Sequence, residues 1–412
     1  MNKNISYLIW NYLSVVIMAI CGLVMTSSIA LFYDASVLGI FNESYAWYVI
    51  LSQLSVCGVH MSVLKYVPER EMIEEKGEIV KSSLIITAII SFIVLLVTEG
   101  TLLHLYNIPW KRSMQIAFLG IPFFSFNKVL LNYLNAIYEL VAFAVFQSMR
   151  YLILTGIIIG VALAHIDHNF LAYAFPVSEL LVCFGIVMYL LAKKKIKGNI
   201  NKKWVRDIVL FGLKIFPSNM VTEMNSKIDV VCLGFLVKDT AQIGVYSFAI
   251  LFTEGFYMLY FTIRKLVNPK ISQFRAWGNL KEYICTVNNL MNKYLVPGSV
   301  LVYFLVLFIY FIICCLFKTS EYGMGLIYIA IICLSIAING KSIVWGDYLS
   351  QSGFPAEESK VNMQTVISNI AFNILLIICL GTVGAAVGTA ASYFVYTLAQ
   401  KRYTYNRTGE RL

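Results

Sequence analysis

The chain has 412 residues, of which 59% are hydrophobic and 13% are charged. A soluble domain carries roughly 25% charged residues, and a single water-soluble core stops growing near ~250–300 residues. The composition therefore excludes a secreted enzyme, a nucleic-acid-binding domain and a disordered chain. It predicts an integral membrane protein.

Apolar stretches of about 20 residues predict transmembrane helices, and we count twelve of them. They cover residues 9–31, 44–64, 83–104, 114–135, 140–163, 170–192, 208–235, 243–263, 293–316, 324–346, 365–382 and 384–400. The seventh is unusually polar, and only residues 381–384 separate the last two. The expected fold class is an all-α polytopic membrane protein.

The net charge of +10 is distributed so as to orient these helices. With both termini in the cytoplasm, the inner side carries 23 Lys and Arg residues, whereas the outer loops carry only four. This asymmetry follows the positive-inside rule. It explains the basic surplus as a topology signal and a contact with anionic lipid, so nucleic acid is not needed as a partner.

The loops indicate an internal duplication. The segment 39–42 (GIFN), at the start of the second span, resembles 244–247 (GVYS), at the start of the eighth. Each of these two spans ends in a segment that contains Lys and Pro, at 65–68 and at 265–269. The longest basic loop lies between the sixth and seventh spans. We therefore expect an N-terminal six-helix bundle over 1–192, a basic cytoplasmic linker over 193–207, a C-terminal six-helix bundle over 208–400 and a cytoplasmic tail over 401–412.

Charged residues inside a membrane are costly and mark transport pathways or ion pairs. In the first half they are Lys128 in the fourth span, Arg150 in the fifth and Glu179 in the sixth. Lys128 shares a polar stripe with Asn132, which predicts a side chain that faces substrate or one that forms interhelical hydrogen bonds. Arg150 either binds phosphate or extends toward the membrane surface.

The second half contains the most polar helix, and this helix should face away from lipid. Lys214, Asn225 and Asp229 lie on one stripe of the seventh span, although Pro217 is expected to rotate its two parts. On the opposite side, Glu223 and Lys227 are spaced i,i+4 and are expected to neutralise each other.

Further candidates are Glu254 in the eighth span and Lys341 in the tenth. The predicted substrate-binding cations are Lys128, Arg150, Lys214, Lys227 and Lys341, with Asn132 and Asn225 as polar groups of the cavity. Glu179, Asp229 and Glu254 are candidates for exchange of a coupling proton or Na⁺, or for pairing with a cation. For Lys214 and Lys341, extension toward the surface competes with substrate binding.

An enzymatic function is not expected. The sequence has no phosphate-binding Gly loop and no nucleophile–base motif in a loop, and its loops are too short for a catalytic domain. It contains no CxxC motif and no His pair at ligand spacing, so neither a metal site nor a bound cofactor is predicted.

The segment from Pro217 through Asp229 and Gly234 to residues 244–249 (GVYSFA) resembles the start of the second half of polysaccharide and O-antigen (Wzx-type) flippases. Residues 38–42 and 65–69 repeat the pattern in the first half. These flippases belong to the multidrug/oligosaccharidyl-lipid/polysaccharide exporter superfamily. The resemblance implies a V-shaped pair of six-helix bundles that works by alternating access.

The resemblance also implies a function. The expected cargo is a polyprenyl-diphosphate-linked oligosaccharide of O-antigen or capsule, moved from the cytoplasmic to the periplasmic leaflet of a bacterial inner membrane with H⁺ or Na⁺ coupling. Expected partners are the lipid bilayer and the polysaccharide polymerase and chain-length proteins. Alternatives are a multidrug extruder of the same fold, a peptidoglycan-precursor flippase and a membrane-bound transferase or polymerase.

Overall fold

The computed structural model describes residues 3–102, 111–317 and 321–410. Within these ranges the chain is helical and has no β-strand. His104, at the end of the predicted third span, and Lys318, in a predicted outer loop, lie outside the described residues. The all-α polytopic fold predicted from the sequence is confirmed.

The chain forms two compact units, Met1–Met224 and Asn225–Leu412. The helices of the first unit are α1 (Lys3–Phe32), α2 (Ala35–Val56), α3 (Val59–Tyr66), α4 (Ile73–Val97), α5 (Lys111–Phe118), α6 (Ile121–Ala136), α7 (Leu140–Leu163), α8 (Ala174–Ala192) and α9 (Lys202–Asn225).

The second unit begins at the last residue of α9. Its helices are α10 (Ile228–Leu236), α11 (Thr240–Val267), α12 (Pro269–Ala276), α13 (Leu280–Leu290), α14 (Val296–Phe317), α15 (Gly325–Val344), α16 (Tyr348–Gln351), α17 (Pro355–Leu380) and α18 (Thr382–Thr408).

Among the described residues, ten helical segments are long and apolar enough to cross a membrane, or eleven if one bent pair counts as a span. Ten of the twelve predicted spans correspond to these segments. The predicted second span is the bent pair, α2 and α3. The predicted seventh span does not qualify, because it is divided into the polar α9 and the short α10.

The bend between α2 and α3 is 51° and has a local cause. Cys57 and Gly58 both adopt left-handed backbone conformations, with φ of 47° and 73°. A Cβ atom on Gly58 would lie 2.4 Å from the carbonyl oxygen of Gly212. The glycine therefore allows α9 to pack directly on the break.

The core of the first unit is formed by α3, α4, α6, α8 and α9, and it includes part of the predicted linker. The side chain of Trp204 is 7% exposed in this core. Lys81 Nζ donates to the Gly198 carbonyl at 2.6 Å, and the Tyr133 hydroxyl donates to the Lys195 carbonyl at 2.6 Å.

The first compact unit includes the segment 193–207 and nearly all of α9. α18 continues to Thr408, and Thr404 is buried within it. The predicted division into two six-helix bundles, a linker over 193–207 and a tail over 401–412 stays a prediction.

The repeated segments 39–42 and 244–247 both lie in the second turn of a helix that begins with an aspartate cap. The Asp34 carboxylate accepts a hydrogen bond from the backbone N–H of Val37 at 2.8 Å. The Asp239 carboxylate accepts from the N–H groups of Ala241 and Gln242 at 3.0 and 3.2 Å. The same capping chemistry therefore starts α2 and α11.

Candidate functional site

The first unit holds a buried ion pair between two of the predicted site residues. Arg150 Nε of α7 lies 2.5 Å from Glu179 Oε1 of α8, and the side chains are 16% and 1% exposed. The Asn127 amide of α6 donates to Glu179 Oε2 at 2.7 Å, and the Tyr48 hydroxyl of α2 donates to Oε1 at 3.1 Å. One carboxylate thus joins four helices.

This arrangement changes what Arg150 and Glu179 can do. A guanidinium that faces a buried carboxylate has its positive charge balanced by that carboxylate, so it attracts a phosphate less than an unpaired guanidinium does. The carboxylate likewise carries a permanent counterion. The structure therefore places both residues in an interhelical ion pair, whereas the sequence favoured phosphate binding equally for Arg150 and left ion exchange open for Glu179.

Lys128 also has an acidic partner. Its Nζ lies 3.0 Å from Glu223 Oε1 of α9, and the two side chains are 25% and 36% exposed. Asn132, one turn further along α6, donates to the Lys128 carbonyl at 2.8 Å. The Phe124 ring centroid lies 5.7 Å from Lys128 Nζ and 4.9 Å from Arg150 Cζ, so one aromatic ring contacts both cations.

The remaining predicted cations in the two units differ in exposure. Lys214 on α9 is exposed, and Lys341 near the end of α15 is half-buried. Neither forms an ion pair within the described part of the chain. The argument for an anionic cargo from unpaired cations therefore rests on these two lysines.

The second unit holds a different kind of carboxylate cluster, centred on Asp229 of α10. Its oxygens accept hydrogen bonds from the Tyr246 hydroxyl of α11 at 3.1 Å, the Asn373 amide of α17 at 2.9 Å and the Thr389 hydroxyl of α18 at 2.6 Å. All three donors are uncharged. In the described ranges, no Lys, Arg or His forms an ion pair with Asp229.

A chain of amides extends this cluster. The Asn373 amide also donates to Asn369 Oδ1 at 2.8 Å, and the Asn369 amide donates to Asn225 Oδ1 at 3.1 Å. The Asn373 side-chain oxygen is buried and has no hydrogen-bond donor among the described atoms. Carboxylate, amide and hydroxyl oxygens therefore converge around a single negative charge.

The predicted polar stripe of the seventh span is interrupted after Asn225. The helix continues through Pro217 and breaks instead at Ser226 and Lys227, where Lys227 becomes the residue before α10. Glu223 and Lys227 therefore do not lie on one continuous helix, and their mutual neutralisation stays a prediction. Glu223 contacts Lys128, while Lys227 Nζ lies 3.9 Å from Glu254 Oε1 on α11. The side chains of Ser218 and Thr222 lie outside the description.

Several members of these clusters were not among the predicted site residues: Tyr48, Asn127, Tyr246, Asn369, Asn373 and Thr389. They are uncharged, whereas a charge within a span is what marks most of the predicted site residues. The Asn pair at 369 and 373, spaced i,i+4 in the mainly apolar second half of α17, is the sequence signal that indicates the α17 contribution.

Comparison with known proteins identifies the family. No protein of curated function matches the sequence significantly. The sequence profile of a family described as polysaccharide biosynthesis protein matches residues 3–275. The chain belongs to this family.

This polysaccharide biosynthesis protein also resembles solved transporter structures. The lipid II flippase MurJ in its inward closed conformation has a TM-score of 0.81 at 16% identity, over 96% of this chain and 86% of that chain. An inward-facing multidrug resistance MATE transporter of the MOP superfamily has a TM-score of 0.77 at 11% identity, over 95% and 96%.

A third match is a MOP superfamily transporter from Pyrococcus furiosus, which is described as having a binding pocket of reversed polarity. It has a TM-score of 0.63 at 11% identity, over 96% of this chain and 94% of that chain. At these identities the matches establish the fold, which this chain shares with a flippase and with transporters of the MOP superfamily.

Proposed function

We propose that this protein is a flippase for polyprenyl-diphosphate-linked oligosaccharide repeat units of O-antigen or capsule. The observation that carries the proposal is the match to the polysaccharide biosynthesis family together with a fold shared with a lipid II flippase. A flippase function explains why a member of a polysaccharide biosynthesis family consists mainly of helices that are apolar enough to cross a membrane. The cargo is the lipid-linked sugar, and the bilayer holds its prenyl chain.

The proposed direction is from the cytoplasmic to the periplasmic leaflet of a bacterial inner membrane, with both termini in the cytoplasm. The distribution of Lys and Arg between alternate loops supports this orientation. Polysaccharide polymerase and chain-length proteins are the proposed partners, because they act on the translocated units. The exposed Lys214 and the half-buried Lys341 are the proposed contacts for the anionic headgroup.

The proposed coupling ion binds at Asp229. Of the three candidate carboxylates, Glu179 is paired with Arg150, and Glu254 is half-exposed and lies 3.9 Å from Lys227. Asp229 instead has uncharged partners and lies beside the unpartnered Asn373 oxygen. Hard cations such as Na⁺ prefer oxygen ligands, and a proton on the carboxylate would equally remove the unbalanced charge.

The decisive experiment uses source cells with the gene deleted and then restored. Polyprenyl-diphosphate oligosaccharides are extracted, and the membrane leaflet that they occupy is determined with an impermeant modifying enzyme. Complete repeat units trapped on the cytoplasmic face, and released when the gene returns, are the expected result. Normal surface glycan without a trapped intermediate would contradict the proposal.

A multidrug extruder is the second candidate, and the structural match to MATE transporters favours it. The ion pairs of Lys128 and Arg150 also reduce the excess of positive charge that would disfavour a cationic drug. Efflux of organic cations by everted vesicles separates the two functions, because only the extruder should export them.

A further inference from the structure

The partly exposed ion pair of Lys128 and Glu223 differs from the buried pair of the same unit. Both of its side chains are partly exposed, at 25% and 36%, whereas Glu179 is 1% exposed. A partly exposed lysine can be reached by another anion, whereas a cation enclosed by helices cannot. The contact at Lys128 is therefore one that an incoming anion can replace.

A buried histidine lies on α3, which packs against α6, the helix that carries Lys128. The His60 side chain is 6% exposed, and its Nδ1 atom has no hydrogen-bond partner among the described atoms. A buried ring nitrogen without a partner is costly.

We propose that Glu223 is a built-in competitor for the diphosphate of the cargo. In the structure its carboxylate occupies the anion position at Lys128. The incoming diphosphate displaces the carboxylate and takes over Lys128 as its counterion. This inference rests on the proposed lipid-linked cargo, and it adds a specificity-determining residue to that function.

The competition has a physical rationale. A lysine that is paired with a carboxylate attracts singly charged anions less strongly than an unpaired lysine does. It also repels cations less strongly. A diphosphate carries more negative charge than a carboxylate and offers more acceptor oxygens. The pair therefore admits a diphosphate in preference to a singly charged anion.

The test measures binding of two probes, inorganic pyrophosphate and farnesyl diphosphate, to the full-length protein in nanodiscs by calorimetry. Glu223→Gln should tighten binding of both probes about fivefold, because the competing charge is gone. When Lys128 is already replaced by Gln, Glu223→Gln should give no gain in affinity. The double variant should therefore bind both probes like Lys128→Gln alone. Farnesol, which has no phosphate, should respond to none of these changes.

Glu139→Gln is the matched control. Glu139 pairs with Lys195 at 3.2 Å in the same unit, with similar exposure of 29% and 37%, but outside the Lys128 cluster. It should leave probe binding unchanged. Glu223→Asp, which keeps the charge on a shorter side chain, should give a smaller gain than Glu223→Gln and serves if the latter does not fold.

Equal affinity of wild type and both Glu223 variants would overturn the inference, and so would an equal gain in Glu139→Gln. These results are independent of the cell experiment. Absence of trapped lipid-linked sugar in the deletion strain would remove the proposed function, whereas a fivefold gain in Glu223→Gln would still establish a competed diphosphate site at Lys128.

Discussion

Each unit holds a carboxylate among helices, buried in the first unit and half-buried in the second, and the groups that face the two carboxylates differ in charge. In the first unit Glu179 faces the guanidinium of Arg150 as well as Asn127 and Tyr48. In the second unit Asp229 has a tyrosine, an asparagine and a threonine as donors, and within the described residues it has no ion pair.

The difference concerns the counterion. The first unit supplies its own cation, Arg150, which is part of α7 and directly faces the carboxylate. The second unit leaves a negative charge that only a mobile cation can balance. From this contrast we infer that the first cluster holds helices together, whereas the second can respond to an ion gradient.

Replacing Arg150 with Met tests the first cluster and should cause the largest loss of stability among these variants. The change leaves Glu179 buried without its counterion, and removal of one partner of a buried pair costs about 3–5 kcal/mol. We expect a large drop in the thermal unfolding midpoint of the purified protein. The double variant Arg150→Met with Glu179→Leu should recover most of the loss, and a single variant as stable as wild type would refute the fixed-counterion interpretation.

Replacing Asp229 with Asn tests the second cluster. If Na⁺ binds at Asp229, saturating Na⁺ at 100 times its dissociation constant stabilises the wild type by about 2.7 kcal/mol. The variant should lose this stabilisation and should also lose ion-driven transport in proteoliposomes. The readout is the unfolding midpoint with and without Na⁺, repeated across pH to detect a proton instead. An unchanged ion response in the variant would exclude Asp229 as the coupling site.

Replacing Thr389 with Val removes one donor to Asp229 and keeps the shape of the side chain. Loss of a hydrogen bond to a charged group costs about 1.5–3 kcal/mol. We expect weaker ion binding, measured as a higher Na⁺ concentration for half-maximal stabilisation, while transport remains detectable. Thr253→Val on α11 is the matched control, because the Thr253 hydroxyl donates only to its own helix at Ile250.

Replacing Glu254 with Gln should have the smallest effect. Its partner Lys227 is 3.9 Å away, and half of the Glu254 side chain is exposed, so the pair contributes about 0.2–1 kcal/mol. The variant should keep the ion response of the wild type. Loss of that response in Glu254→Gln, with Asp229→Asn unaffected, would transfer the coupling role to α11.

Much of the fold could be predicted because hydropathy is a local property. Ten of twelve spans correspond to apolar helices, since a stretch of about 20 apolar residues needs no tertiary partner to indicate a membrane helix. The two exceptions are helices that break within the predicted span. The break at Cys57 and Gly58 accommodates α9, and the break at Ser226 and Lys227 occurs without a proline or glycine to mark it.

The candidate site could be predicted only in part, because the partners of its charged residues come from distant parts of the chain. The sequence by itself determined which residues are charged within the membrane, including Lys128, Arg150, Glu179 and Asp229. Only the tertiary structure decided their partners, because Lys128 and Glu223 are 95 residues apart and Asp229 and Thr389 are 160 apart. The side-chain period of a helix fixes the direction of a residue along its own axis, whereas the packing of neighbouring helices decides whether a cation or a neutral donor faces it.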